Sequence, residues 1–337
     1  PSAVSQIIEQ VINAVVSVVA AYYLFGYGTK IGAVLGDTEE YSAAYGAAGG
    51  TLGTGIGALA GLLFVLFVFV LYKHVLKRKM RRERGTSRES YGQILHVLIW
   101  TVVPVLLSTT LYNLSAIVDQ AIFKNVATLQ GYTADQIHTF WGVFGGKYRV
   151  LVNVPISISS AVVSASVPAV TASFASHDLD GVSQKIGNAI HYSMVIAFPC
   201  AVGLGVLASP VMQLLFHDST PLAAHMLQVG VISVVFYSLS TLSNGILQGI
   251  NRMKVPVIHA AIALVLQAGL LVGLMYVGNL NIFAVIWANT FFAFLMCLLN
   301  GYGIYRHLGF KQEFKKTFLI PALCSSIMGV IVYVVYM

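Results

Sequence analysis

Charged side chains are what this sequence most lacks: 19 Lys and Arg with 12 Asp and Glu among 337 residues, 9% in all. Soluble domains carry about 25%. A chain this poor in ionic groups cannot clothe a water-facing surface, which excludes soluble enzymes and nucleic-acid-binding folds. Cysteine is scarce too. Cys200, Cys297 and Cys324 stand far apart inside apolar runs, at no spacing suited to a disulfide scaffold, a metal or a redox pair, and read as small buried thiols. The histidines show no ligand spacing, and no Ser-His-Asp, HExxH or phosphate-loop pattern occurs. Nothing points to an enzyme, a metal or a cofactor. No signal-peptide pattern opens the chain at Pro1 and no polar tail follows Met337, so both ends read as cut.

What the sequence has in excess is apolar length, with 57% hydrophobic residues. A membrane-crossing helix needs about 20 of them in a row. Runs free of Asp, Glu, Lys, Arg and His cover Gln10–Thr29, Tyr41–Tyr72, Val97–Val118, Val150–Ser176, Tyr192–Phe216 and Met226–Asn251. Ala260–Tyr305, at 46 residues, is too long for one helix and divides at the turn signal Gly278-Asn279-Leu280-Asn281. Thr317–Met337 closes the series. The expected fold class is therefore all-α: a polytopic membrane protein with about nine transmembrane helices.

The few charges are unevenly placed. Lys73 to Arg88 holds eight basic residues, and Lys185, Arg252, Lys254, Arg306, Lys311, Lys315 and Lys316 fall in connections on the same side. The opposite connections hold only Lys30 and Lys124. This asymmetry places the basic side and the N-terminus in the cytoplasm and the C-terminus outside. The net charge of +7 is then a matter of topology and needs no nucleic acid. The basic cluster also suits contact with anionic head groups of membrane lipids, or a plain solvated linker.

Along the chain, 1–72 forms a pair of helices, 73–92 a basic cytoplasmic linker, 93–306 a block of six spans and 307–337 one more. Gly49, Gly53, Gly57 and Gly61 recur at intervals of four, a ladder that permits close helix packing or, less simply, a hinge. Pro104, Pro155, Pro168, Pro199 and Pro256 fall inside spans and predict kinks.

Polar groups inside apolar runs are costly and therefore candidate functional residues. Asp119 closes the third run, in a stretch where Asn113 and Gln120 share a helical face. It reads either as part of a polar cavity wall that takes up a proton or cation, or as a residue at the head-group level. Lys147 and Arg149 open the fourth run. They read either as snorkelling cations or as a site for phosphate, for which Arg offers a bidentate fork. Glu9, among Gln6, Gln10 and Asn13, is a cavity residue or an interfacial helix start.

Three stretches carry a family resemblance. These are Ser5-Gln6-Ile7-Ile8-Glu9-Gln10, then Arg149-Val150-Leu151-Val152-Asn153-Val154-Pro155 with Ala165-Ser166-Val167-Pro168, and Leu247-Gln248-Gly249-Ile250-Asn251-Arg252. They resemble the polysaccharide-biosynthesis and stage V sporulation protein B-like branch of the multidrug/oligosaccharidyl-lipid/polysaccharide (MOP) exporter superfamily, which also includes the lipid II flippase of peptidoglycan synthesis. The resemblance implies two six-helix lobes around a central cavity, with two added helices. Residues 1–72 would then be the last two helices of the N-lobe, 93–306 the C-lobe and 307–337 the first added helix, with four helices missing before and one after.

It further implies a bacterial cell-membrane flippase, serving cell-wall, polysaccharide or sporulation-linked synthesis, that moves a polyprenyl-pyrophosphate-linked glycan by alternating access. An essential arginine of the flippase branch carries over to Arg149 after a one-residue shift, with Lys147 as the fallback. On this reading Arg149, Lys147, Asn113 and Asn153 bind substrate, and Asp119 and Glu9 couple transport to a proton or cation gradient. A cation-coupled multidrug exporter of the same superfamily and a non-transporting membrane scaffold are the competing readings.

Overall fold

A computed structural model describes residues 2–82 and 90–336; at 2, 3, 76, 79–82, 101, 104, 105, 108, 109, 111 and 112 only the backbone is described. The described residues are helical nearly throughout and include no strand. This is what a membrane demands, since a helix satisfies its own backbone hydrogen bonds where no water can. The chain divides into two compact units, residues 1–90 and 91–337.

The first unit is a hairpin of α1 (Ser2–Leu35) and α2 (Thr38–Arg82). α2 runs past the apolar stretch to Arg82 because no glycine or proline interrupts residues 62–82. Lys73, Lys77 and Arg78 therefore extend the helix. The helix also takes in positions 79, 81 and 82, while residues 83–89, which complete the basic cluster, lie outside the described residues. The glycine ladder is the seam of this hairpin. A Cβ on Gly49 would meet Ala20 O at 2.5 Å, one on Gly57 would meet Glu9 O at 2.8 Å, and one on Gly53 would collide with Ser17. Between apolar helices in lipid there is no hydrophobic drive to associate, so close backbone approach and hydrogen bonds do the work. Ser17 Oγ donates to Gly50 O at 2.9 Å and Ser5 Oγ to Gly61 O at 3.3 Å, both across the seam.

The second unit begins with α3 (Tyr91–Leu129) and α4 (Ala134–Val143). A π-helical turn, Phe144–Tyr148, joins α4 to α5 (Arg149–Ala175). There follow α6 (Leu179–Val206), α7 (Ala208–Phe216), α8 (Pro221–Gly230) and α9 (Ser233–Gly249). Next come α10 (Lys254–Tyr276) and α11 (Ile282–Leu308), and a second π turn, Lys315–Leu319, leads into α12 (Ile320–Tyr336). Among the described residues seven helical spans are long and apolar enough to cross a membrane, or eight counting α8 and α9, which bend by 46° at their junction, as one broken span. α3 carries the run Val97–Val118 expected as a further span. The turn expected at 278–281 separates α10 from α11, with Asn279 and Asn281 in positive-φ conformations (49° and 52°).

α5 packs on α6 and α9, α9 on α11, α10 on α3 and α11, and α12 on α6. Met194, Met226, Leu242 and Leu247 are wholly buried between them. Small residues set the spacing here too: a Cβ on Gly249 would come within 2.9 Å of Val167, and Thr171 Oγ1 donates to Gly249 O at 3.0 Å.

Two local expectations are corrected. Pro256 lies in the first turn of α10, where no backbone donor is lost, so it starts that helix instead of kinking it. Lys147 and Arg149 do not open a span. They sit within a helical run of 42 residues, Ala134–Ala175. Its start is set by a capping box in which Gln136 N–H donates to Thr133 Oγ1 while Thr133 N–H donates to Gln136 Oε1. Pro155, Pro168 and Pro199 lie inside α5 and α6, whereas the Pro104 side chain falls outside the described residues.

Candidate functional site

The second unit contains a cavity of about 230 Å³ enclosed by α3, the first π turn, α5, α9 and α11. The π turn delivers Arg149 to it. Gly145 and Gly146 stand in open space within that turn, so the extra residue is accommodated without a clash. Tyr148 is an almost wholly buried part of the wall, stacked on Phe144 at 5.4 Å, and its hydroxyl reaches Gly230 O and Ser233 Oγ, each at 3.3 Å. Arg149 is left facing the opening, its guanidinium 6.0 Å from the Phe144 ring centroid. Asn153, one turn on, and Asn113 of α3 line the same cavity.

Beneath this cavity lies Asp119, only 2% exposed. Gln267 Nε2 donates to its Oδ1 at 2.7 Å and Asn289 Nδ2 to its Oδ2 at 2.8 Å. Ser115 Oγ donates to Gln267 Oε1 at 2.8 Å, and Tyr237 OH to Asn289 Oδ1 at 3.1 Å. Ser115 and Asn289 also belong to the cavity wall, so Asp119 is one hydrogen bond removed from the cavity. Among the described residues no cation forms an ion pair with this buried carboxylate, and the hydrogen bonds it accepts come from neutral amides, with the Arg149 charge further off. That is an incomplete compensation for a buried ion. Asp119 shares its face with Ser115, one turn back, and not with Asn113; Gln120 is exposed.

The other sequence candidates lie elsewhere. Lys147 turns to the neighbouring connection, where Nζ donates to Asp218 Oδ2 at 2.5 Å. Asp218 Oδ1 also accepts from Thr220 N–H at 2.8 Å. The Lys147 hydrogen bond, and then those from Thr220, hold the Asp218 carboxyl down at about 2. Glu9 belongs to the first unit, half-buried on the α1–α2 seam opposite Gly57 and Gly61.

Gln267, Asn289, Tyr237 and Ser115 are not among the residues the sequence marks as candidates. A search restricted to ionisable groups passes over neutral amides, yet a Gln and an Asn inside the 46-residue run Ala260–Tyr305 are anomalies of the same kind. Ser115 and Tyr237 carry no comparable signal. Among the described residues no group of three His, Cys, Asp or Glu side chains gathers as a metal site.

This is the architecture of a polytopic, all-helical membrane protein with a polar cavity set into one bundle. Residues 150–273 match the family model described as MatE, a stretch that runs through Asn153 and Gln267. The chain is 27% identical over 281 residues to the lipid II flippase MurJ of Bacillus subtilis (strain 168), which covers 79% of this chain and 50% of that protein. In fold it is similar to the solved structure of a lipid II flippase MurJ in an inward closed conformation. That likeness has a TM-score of 0.60 at 15% identity and covers 93% of this chain and 60% of the other. The chain thus spans about half the length of the curated relative it matches. The resemblance to the MOP exporter superfamily is borne out, and the helical fold is of the MurJ type.

Proposed function

We propose that the chain forms part of a flippase that moves a lipid-linked oligosaccharide across the cytoplasmic membrane by alternating access. The observation that carries the proposal is the position of Arg149, with Asn113 and Asn153, in one cavity of the second unit's helical bundle. A sugar–pyrophosphate head cannot cross hydrocarbon unaided, since each buried polar group would be unsatisfied. The Arg149 fork supplies a bidentate partner for phosphate oxygens, the two asparagines supply partners for hydroxyls, and the polyprenyl tail stays in the bilayer. Likeness to a lipid II flippase supports this substrate class. Lys147, engaged by Asp218, is a weaker candidate than Arg149. On this proposal residues 1–72 belong to an N-lobe, 93–306 form the C-lobe, and rocking between lobes exposes the cavity to each side in turn.

Asp119, and Glu9 in the first unit, are proposed as the carboxylates that exchange a coupling proton or cation. Moving one elementary charge through 100 mV supplies about 2.3 kcal/mol. Asp119 also supports the second reading, a cation-coupled drug exporter, because a buried carboxylate beside a cavity suits a cationic substrate.

The protein reconstituted into liposomes should translocate lipid II or an undecaprenyl-pyrophosphate sugar. Arg149→Ala should abolish that movement in a folded protein, and Arg149→Lys should retain only part of it, keeping the charge without the fork. Normal transport by Arg149→Ala would sink the cationic-site reading. Transport of a cationic dye instead of lipid II, lost in Asp119→Asn, would favour the drug exporter.

A further inference from the structure

Away from Arg149, the second unit holds two adjoining hollows where α6, α11 and the entry to α12 come together. One, of about 540 Å³, is polar. α6 turns Gln184, Asn188 and His191 into it from successive turns of one face, and the segment before α12 adds Lys311 and Lys316. The other, of about 410 Å³, is apolar, with Ile190, Leu239, Gly301 and Ile304 in its wall. Both are bounded by the same strap, Phe310, Lys311 and Gln312. Gly309 sets the strap's direction by capping α11 in the left-handed conformation, φ 66°.

Elsewhere in this unit clustered polar side chains satisfy one another. Asn300, for example, is wholly buried, donates to Ser243 Oγ at 3.2 Å and Asn244 Oδ1 at 2.9 Å, and meets His259 Nδ1 at 2.8 Å. The polar hollow differs. Among the described residues, the side chains of Gln184, Asn188, His191 and Lys311 have no hydrogen-bond partner in the protein. Its single carboxylate, Glu313, is taken by Lys316 at 3.2 Å, and that ammonium keeps further donors free. Converging donors with one neutralised acid call for an anion rich in acceptor oxygens, and the two lysines favour phosphate. The apolar hollow across the strap calls for hydrocarbon.

We propose that the two hollows together hold one anionic phospholipid. Its phosphate lies against Lys311, Lys316 and His191, its head-group hydroxyls against Gln184 and Asn188, and one acyl chain in the apolar hollow. The site is separate from the Arg149 cavity and does not depend on what that cavity transports. A zwitterionic head group would bring its own cation to the lysines and is disfavoured there.

The test is binding of phosphatidylglycerol to the detergent-solubilised protein, read by native mass spectrometry against phosphatidylcholine as competitor. Phosphatidylglycerol should be retained in preference. Lys311→Gln with Lys316→Gln should weaken that retention roughly 30-fold, the loss expected for two lysines at a membrane surface. Gly301→Leu should also weaken it, because no atom lies within 4 Å of a Cβ at that position and the new side chain enters the empty hollow. The same variant should bind inorganic phosphate as the parent does, which reports an intact polar hollow. Equal retention of the two lipids would overturn the proposal. So would unchanged lipid binding in Gly301→Leu together with displacement by inorganic phosphate, which would make the hollow a site for free phosphate.

Discussion

Asp119 is a buried carboxylate in a chain made mostly of apolar runs. Its carboxylate is held by Gln267 and Asn289; removing it leaves a donor of the buried Gln267 amide unpartnered and takes one of two acceptors from Asn289, which keeps Val285 O. Asp119→Ala should lower the unfolding free energy by about 1–3 kcal/mol, measured by thermal unfolding in detergent. Asp119→Asn, nearly isosteric, should fold and yet lose the dependence of transport on an imposed ion gradient. The Lys147–Asp218 pair makes a pH prediction. The Asp218 carboxyl is held at about 2 against an ordinary 3.8. A carboxylate with a depressed value stabilises the fold above its ordinary value and loses that effect as pH falls through the folded one. The pair's contribution should therefore be complete above about pH 4 and vanish towards pH 2. Lys147→Met should unfold at a lower temperature than the parent at pH 6 and converge with it near pH 2. Equal separation of the two curves across that range would refute the assignment.

At the scale of elements, the α1–α2 hairpin separates glycines that pack from glycines that merely occur. A Cβ at Gly57 would sit 2.8 Å from the Glu9 carbonyl oxygen, while one at Gly55 of the same helix would meet nothing within 4 Å. Gly57→Ala should destabilise the hairpin by about 1–3 kcal/mol, as overpacking does. Gly55→Ala should be neutral or slightly stabilising through helix propensity. Thermal unfolding of the two variants side by side checks both. The ladder was legible because its period of four matches a helix face. The π turn before Arg149 was not legible: an extra residue in a helix leaves no mark in hydropathy, and it shifts the faces that a regular wheel predicts. That is one reason Lys147 and Arg149, close in sequence, end in different places.

At the scale of the whole molecule, the charge asymmetry makes its own prediction. In a cysteine-free background, a single cysteine at Lys77 should react with a membrane-impermeant maleimide only from the cytoplasmic side. One at Asp37 or Asp135 should react only from outside. Reversed labelling would invert the proposed orientation and put the basic linker outside.

Helix number and class followed from composition and run length alone, because lipid leaves the backbone one economical way to cross and apolar length measures each crossing. Asp119, Arg149, Asn113 and Asn153 could be picked out singly, since polar groups in such runs are conspicuous. Which of them meet was decided only by tertiary packing. Gln267 and Asn289 lie 148 and 170 residues from Asp119 in the chain, and only the docking of α10 and α11 against α3 turns their amides onto its carboxylate. Lys147 was drawn away to Asp218, 71 residues on, by a connection whose position no local pattern specifies.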